Sequence, residues 1–364
     1  MRIAYVSLHW PRTRNSGVGK KIRSHIESWR KMGHEARLFM HTHDYEPRAE
    51  LLDADCFFYE TSGKVKTEIN RIGAAKRLIA AVSKFQPDII FLRYGMYVFP
   101  AHRLMDIAPV VEEINTNDVT QHEQLGAIFS LYNRLTRGIF LRRVSGLMAV
   151  SHELATSADF ASYRKPTQVI ANGIDLDAVQ PLPAPSNETP HLAFMATPGY
   201  SWHGVDKLVT LARIYPDLTV HIVGYDRLDD SEPLPTNVHL HGYLNSDAYV
   251  KLLGKSDVAV STLALYRKNM EEASPLKTRE CLAYGLPMVI AYTDTDLDQA
   301  PVDFLLKIPN KEDNIQTHAQ AIREFAYRMR GRRADRELLK ECIDTAQKEA
   351  MRLAFFEEIL QASH

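Results

Sequence analysis

The sequence predicts two parallel α/β domains, each a doubly wound sheet with helices on both faces. Short apolar runs alternate with longer helical patterns from the first residue, the order expected of repeated β-α-β units. After a proline-rich stretch the series starts afresh, so a second sheet follows the first. The length of 364 residues suits about two domains of roughly 150 residues, with enough chain to bury a core in each.

In the first half, the candidate strands are Ile3–Leu8, Ala36–Met40, Ile89–Leu92, Val110–Glu113, Leu147–Val150 and Gln168–Ala171. The second set is His191–Ala196, Leu218–Val223, Val238–Leu240, Asp257–Ser261 and Met288–Ala291. Between them, Asp175 to Pro190 carries Pro181, Pro183, Pro185 and Pro190 without clear periodicity and reads as a linker. The expected domains are therefore 1–180 and 181–345, with helical periodicity and no further strand from Ala334 to Leu360. Ligands of open α/β sheets bind beyond the carboxyl ends of the strands, which nominates the residues following each run. In the first domain these are His9, Trp10, the loop Asn15-Ser-Gly17-Val-Gly19-Lys20, His41, His43, Arg93, Tyr94, Glu113, Asn115, Ser151, His152, Asn172 and Gly173. In the second they are Thr197–Gly204, Gly224–Asp226, Gly242–Leu244 with Tyr243, and the loop at Glu272.

Composition is that of a soluble globular chain with a formal net charge of −1, which gives no overall drive toward nucleic acid or membrane. Three scattered cysteines, Cys56, Cys281 and Cys342, form neither a disulfide framework nor a spaced zinc site. No run reaches the roughly 18 apolar residues of a membrane span, and the chain opens on a strand pattern rather than a leader. The expected location is the cytoplasm.

The richest stretch is Glu272-Ala-Ser-Pro-Leu-Lys-Thr-Arg-Glu280-Cys-Leu-Ala-Tyr-Gly-Leu-Pro287. Ser274 has the chemistry of an N-cap, Pro275 suits the first helical position, and Gly285 with Pro287 supplies the stop. Free amides and the positive end of such a helix attract an anion such as a diphosphate, and Lys277 adds a full charge. Glu280 lies one turn on, while Glu272 precedes the helix. Acceptor-only carboxylates on either side of an anion site suit the hydroxyls of a nucleotide sugar, ribose on one side and hexose on the other. The Gly17-Val-Gly19-Lys20-Lys21 string is not a phosphate loop of the Walker type, which needs Gly at Arg14 and Ser or Thr at Lys21. Ile22 also breaks the dinucleotide fingerprint. A Gly-rich turn remains.

The spacing of Glu272 and Glu280 resembles the E-x7-E motif of retaining glycosyltransferases of the GT-B fold, and Ser274 to Pro287 resembles the family 4 version. Weaker matches keep the family's order: Gly33-His34, Arg93-Tyr94-Gly95, Ala149-Val150-Ser151, Asn172-Gly173-Ile-Asp175 and Trp202-His203-Gly204-Val205-Asp206. The resemblance implies two Rossmann-like domains facing across a cleft, an acceptor-side domain followed by a donor-side one, with a helix at 346–364 crossing back to the first. It also implies hexose transfer from a nucleotide diphosphate sugar to a carbohydrate or lipid-linked acceptor, with retention of configuration. No metal and no cofactor beyond the donor are implied. Glu272 then holds the donor sugar, Glu280 the ribose and Lys277 the phosphates. Ser274, Leu276, Gly17, Gly19, His203 and Tyr243 complete the donor side, while Glu113 and Asn115 stand where many relatives place a histidine near the reacting sugar.

Two departures accompany this resemblance. Family members often carry Arg-x4-Lys before the "G-V-D" step, and here those positions are Pro198 and His203. Lys277 and the helix amides are the expected compensators, with Lys207, Arg267 and a protonated His203 as weaker ones. The other departure is the Glu112-Glu113-Ile-Asn115 sequence in place of the histidine. A non-catalytic binding relative and a sugar-nucleotide epimerase on the same fold are the rival readings, with an NAD-dependent oxidoreductase more distant. His41-Thr-His43-Asp44 lacks a third metal ligand at coordinating spacing, and Asp294-Thr-Asp296 reads as a loop. Two basic stretches, Lys20–Lys31 and Phe129–Arg143, have the pattern of helices that contact an anionic membrane surface. The plainer reading, a helix burying its apolar face in its own domain, is favoured for both.

Overall fold

The computed structural model describes residues 1–9, 17–43, 54–228, 233–298, 300 and 302–362. It divides into two compact units, Met1–Ala171 with Thr345–His364, and Asn172–Asp344.

The first unit contains β1 (Arg2–Ser7), α1 (Gly17–Lys31), β2 (Glu35–Thr42), β3 (Asp55–Phe58), α2 (Lys64–Phe85), β4 (Ile89–Arg93), β5 (Val110–Ile114), α3 (Asp118–Leu125), α4 (Ala127–Leu141), β6 (Gly146–Ala149), α5 (His152–Thr156), α6 (Ala158–Ala161) and β7 (Thr167–Val169). Its seven strands run in the order β3-β2-β1-β4-β5-β6-β7 and every pairing is parallel. Helix α1 places Ile22, His25, Ile26 and Trp29 on one face, the i, i+3, i+4, i+7 stripe that packs on a sheet. That stripe meets Tyr5 and Phe91 from the strands and Leu353, Phe355, Phe356 and Ile359 from the C-terminal helix Thr345–Ala362. The C-terminal helix comes so close to β6 that a Cβ on Gly146 would lie 2.9 Å from Ile359 Cδ1.

The second unit contains β8 (His191–Met195), α7 (Val205–Ile214), β9 (Thr219–Val223), β10 (Val238–Leu240), α8 (Ser246–Lys255), β11 (Val258–Val260), β12 (Glu272–Ala273), α9 (Leu276–Ala283), β13 (Met288–Ile290), β14 (Thr293–Asp294), β15 (Leu305–Lys307), α10 (Asn314–Met329) and α11 (Arg336–Ile343). Its main sheet is β10-β9-β8-β11-β13-β15, again all parallel, with a separate β12-β14 pair. Both sheets are doubly wound, as the alternating runs predict. The sequence pattern did not indicate β3, β12, β14 or β15, all of four residues or fewer.

One face of the second sheet packs Leu192, Phe194, Val220 and Ile222 against α7 and α10. The strand period of two puts His191, His221, His239 and His241 on the other face. His191 Nδ1 lies 3.1 Å from His221 Nε2, His221 Nδ1 lies 3.0 Å from His241 Nε2, and His239 stacks on His221 with ring centroids 5.3 Å apart. With every member neutral, one nitrogen of His221 donates and the other accepts, so the chain is satisfied without a charge. Burial, then the neighbouring imidazoles, push His221 from 6.5 down to about 4. A histidine lowered on folding takes up its proton first in the unfolded chain, so its contribution is full above 6.5 and is lost as pH falls toward about 4. Thermal midpoints should therefore drop through that window, and the drop should be shallower in His221→Gln. An equal slope in both proteins would show that the histidine chain does not govern acid stability.

Candidate functional site

In the second sheet the strand order reverses between β8 and β11, so a crevice opens beyond their carboxyl ends. Helix α9 begins above this point. It starts at Leu276 with Pro275 in the capping position, and no side chain caps it. This corrects the assignment of Ser274 as N-cap. Ser274 Oγ instead accepts from Asn172 N at 2.9 Å and from Arg279 Nη2 at 3.0 Å. Arg279 is wholly buried and holds Asp294 through two bonds of 2.7 and 2.8 Å, Asp296 at 3.1 Å and the Asn172 carbonyl at 2.8 Å. One guanidinium thus joins the helix, the Asn172 turn and β14. Since β14 pairs with β12 in the register Glu272↔Thr293, the same lock fixes the backbone at Glu272. Asp294 is therefore a buried anchor in a short strand, not part of a plain loop.

Glu272 is buried and Glu280 half-buried. Lys277, also half-buried, extends from the first turn of α9 toward β8. Among the described residues its ammonium bonds only the Met195 carbonyl, at 3.4 Å. Burial lowers its pKa to about 8, against the weaker opposing pull of Cys281 and Glu280. Leu276 is half-buried beside it, and Tyr243, in the loop after β10, is exposed.

The other cations nominated from the sequence are already engaged. Lys207 Nζ is buried against the carbonyls of Lys311 and Glu312 at 3.3 and 2.5 Å. Arg267 grips both oxygens of Asp206 at 2.8 and 2.7 Å and the Ser201 carbonyl at 3.0 Å. His203 Nδ1 accepts the Thr197 N–H at 3.1 Å, which fixes the neutral tautomer, and burial with Lys277 nearby lowers its pKa to about 4. His203 is thus a neutral donor through Nε2, not the protonated cation expected.

In the first unit, Gly17 and Gly19 lie in the first turn of α1 rather than in a free turn, while Asn15, Ser16, Trp10 and Asp44 lie outside the described residues. Lys21, one turn into α1, places Nζ 2.6 Å from Glu113 Oε1 and 2.8 Å from Asn115 Oδ1. Glu113 also meets Arg93 Nη1 at 3.2 Å, Tyr5 OH at 3.3 Å and His25 Nε2 at 3.7 Å. Burial alone would raise the Glu113 pKa, but Lys21, His25 and Arg93 more than offset it and hold the carboxyl well below its usual range. A carboxylate only 1% exposed and ringed in this way cannot reach a substrate. Glu113 is a positioning group, which corrects its nomination as catalytic. Half-buried Asn115 is the member of the pair at the sheet edge. Both ring nitrogens of His41 meet carbonyls, Leu8 at 3.2 Å and Arg71 at 3.0 Å, and no metal-holding group occurs among the described residues.

Sequence reasoning missed Arg279 and Lys21. A charged residue at a buried helical position always needs a partner, and the fully buried face of α9 was the available signal.

Residues 15–178 match the sequence model of Glycosyltransferase Family 4. No curated protein matches the chain. Among solved structures, sucrose-phosphate synthase from Thermosynechococcus elongatus is similar over 100% of both chains, with TM-score 0.68 and 14% identity. A glycosyltransferase from Rickettsia africae is similar over 99% of each chain, with TM-score 0.64 and 16% identity. HepE of Anabaena, solved with UDP and glucose, has TM-score 0.64 and 13% identity, covering 98% of this chain and 100% of its own. The two doubly wound domains are those of the GT-B architecture, and the protein is a glycosyltransferase.

Removing the Arg279 charge should leave Asp294, itself wholly buried, without its partner. Arg279→Met should cost about 3–5 kcal/mol, and the double change with Asp294→Leu should recover most of it. Urea unfolding of the three proteins measures this; a single variant as stable as wild type would show that the lock is not what holds α9.

Proposed function

We propose that the protein transfers a hexose from a nucleotide diphosphate sugar to a carbohydrate or lipid-linked acceptor, with retention and without a metal ion. The observation that carries this reading is the Lys277 ammonium. It is half-buried at the first turn of α9, beyond the carboxyl end of β8, and its one hydrogen bond among the described residues is the long one to the Met195 carbonyl. Such a group favours an anion, and the amides of the same turn add to the attraction. That the similar HepE structure contains UDP and glucose supports a nucleotide sugar as the source of that anion.

In this reading Lys277 and the α9 amides bind the diphosphate, Glu280 the ribose and Glu272 the transferred sugar. Ser274 and Leu276 shape the helix start, neutral His203 donates from Nε2, Tyr243 flanks the base, and Gly17 and Gly19 leave room for backbone approach. Asn115 positions sugar or acceptor, held by Lys21. The bond from the anomeric carbon to the diphosphate breaks, its electron pair staying with the phosphate oxygen. The acceptor oxygen attacks from the same face, and its proton passes to that phosphate oxygen. Positive groups supply the leaving-group stabilisation that a metal would otherwise give.

The rival, a non-catalytic relative, draws on Pro198 and neutral His203 standing at the Arg-x4-Lys positions. It predicts diphosphate binding without turnover. An epimerase would instead form product with no acceptor present.

Calorimetry with nucleoside diphosphates tests the Lys277 role. Only the ammonium form attracts phosphate, so affinity should hold up to about pH 8 and then weaken as the lysine loses its proton. The limiting slope is about tenfold per pH unit. Lys277→Arg, whose charge persists, should flatten the profile. Identical profiles would assign the diphosphate charge to another group.

The glutamates should separate in assays run with EDTA, where wild-type turnover persists. Charge-assisted bonds are worth roughly 1.5–3 kcal/mol, or about 10- to 150-fold. Glu280→Gln should weaken the free diphosphate by that factor. Glu272→Gln should leave diphosphate affinity nearly intact yet lower kcat/KM for transfer. Matching losses in the two variants, or activity abolished by EDTA, would overturn these roles.

A further inference from the structure

The two basic helices of the first unit present opposite surfaces. Helix α1 buries its whole apolar stripe in the core, leaving Lys20, Arg23 and Arg30 outward or half-outward. Helix α4 does not. It is anchored by buried Asn133, Arg137, Gly138, Phe140 and Leu141, yet Ile128 is 83% exposed, Leu131 60% and Leu135 73%. At the turn into α4, Leu125 and Phe129 are exposed as well. Ile128, Leu131 and Leu135 recur at i, i+3 and i+7, so they form one continuous solvent-facing stripe. An apolar row of this length facing water marks an interaction surface.

Its charge surroundings identify the occupant. From Gly126 to Arg143 the chain has Arg134, Arg137, Arg142 and Arg143 and no acidic residue. Arg137 is used internally, bonded to Asp118, but Arg134, Arg142 and Arg143 are exposed. Arg142 continues the row of Ile128 and Leu135 at i+14. A second copy packed on this stripe would bring these arginines against their own equivalents, with no carboxylate on the helix to answer them. Glu123 and Asp106 already pair with Arg134 and Arg143 at 2.5 and 2.6 Å. An apolar row ending in cations matches the cross-section of an anionic bilayer, acyl chains below and phosphates at the rim.

We propose that the α3–α4 hairpin docks the protein in plane on an anionic lipid bilayer. Ile128, Leu131 and Leu135 enter the acyl boundary, and Arg142 meets the headgroups. The hairpin begins just after Asn115, since Asn117 caps α3 by accepting from Val119 N and Thr120 N. Resting on the glycosyltransfer reading, the docked hairpin favours the lipid-linked acceptor over the free carbohydrate. No helix among the described residues is long and apolar enough to cross a membrane, so attachment is to one surface only.

Cosedimentation of the full chain with phosphatidylcholine vesicles, with and without phosphatidylglycerol, tests the docking without any substrate. The protein should pellet with the anionic vesicles, should not pellet with the neutral ones, and should be released by added salt. The pair Ile128→Asp and Leu135→Asp should lower binding by at least about tenfold, because each loses a buried aliphatic contact. Arg142→Glu should lower it on anionic vesicles as well. Thermal midpoints and nucleoside diphosphate affinity, read on the same proteins, should be unchanged. No binding by wild type, binding unaffected by the paired aspartates, or a wild-type dimer that those aspartates make monomeric would each overturn the proposal. Since diphosphate affinity is read separately, the donor-site reading stands or falls apart from it.

Discussion

Parallel pairing is the constraint on which the remaining structure depends. Every ladder in both main sheets is parallel, so successive strands cannot be joined by tight hairpins and each must return through a crossover. The crossovers cover both faces with helices and bring the carboxyl ends of all strands to one edge. Where the order turns from one side to the other, between β1 and β4 or β8 and β11, the following loops diverge and leave room for a ligand. Asn115 and Lys277 are at such edges because of topology. Their chemistry comes afterwards.

A sheet covered on both faces makes any charge on its strands costly unless it is answered. Adjacent residues of β5 show two solutions. Glu113 points toward α1 and stays ionised among Lys21, Arg93 and His25, and His25 passes the interaction to Glu349 of the C-terminal helix at 2.7 Å. Glu112 points to the opposite face, where neither carboxyl oxygen has a hydrogen-bond partner among the described residues. Burial, then the charge of Asp118, raises its pKa well above the usual range, so it is held neutral. The ionised member ties β1, β4, β5, α1 and the C-terminal helix through one network. Replacing it would disturb the whole edge without removing any group that meets substrate.

The fold was legible because a buried parallel strand is a short run of apolar residues, and eleven such runs stand out. The strands that escaped are short: β12 and β14 have two residues each, and Arg279 holds Asp294 of β14 beside the Ser274 turn. Nothing local marks a partner fifteen residues away. Ser274 shows a second limit, for its composition suits a cap equally well whether its hydroxyl serves its own helix or a distant guanidinium. Glu112 and Glu113 can be told apart from the sequence. The strand period of two puts neighbours on opposite faces, so at most one of them could have faced a given ligand.

The two basic amphipathic helices carry the same lesson into function. Both α1 and α4 alternate cations with large apolar residues, and sequence alone gives both the same reading. What separates them is what each meets. The C-terminal helix brings Phe355, Phe356 and Ile359 to the core that α1 closes, so its Trp29 packs edge-on to Phe356 at 5.8 Å. Helix α4 already uses Arg137, Asn133 and Phe140 in its contacts with the domain, and on either side of Gly126, at φ 116°, Leu125, Ile128 and Phe129 are exposed. An apolar side chain gains nothing from water. The exposed stripe on α4 and the buried stripe on α1 are therefore the same kind of surface, one covered within the chain and the other left for a partner outside it.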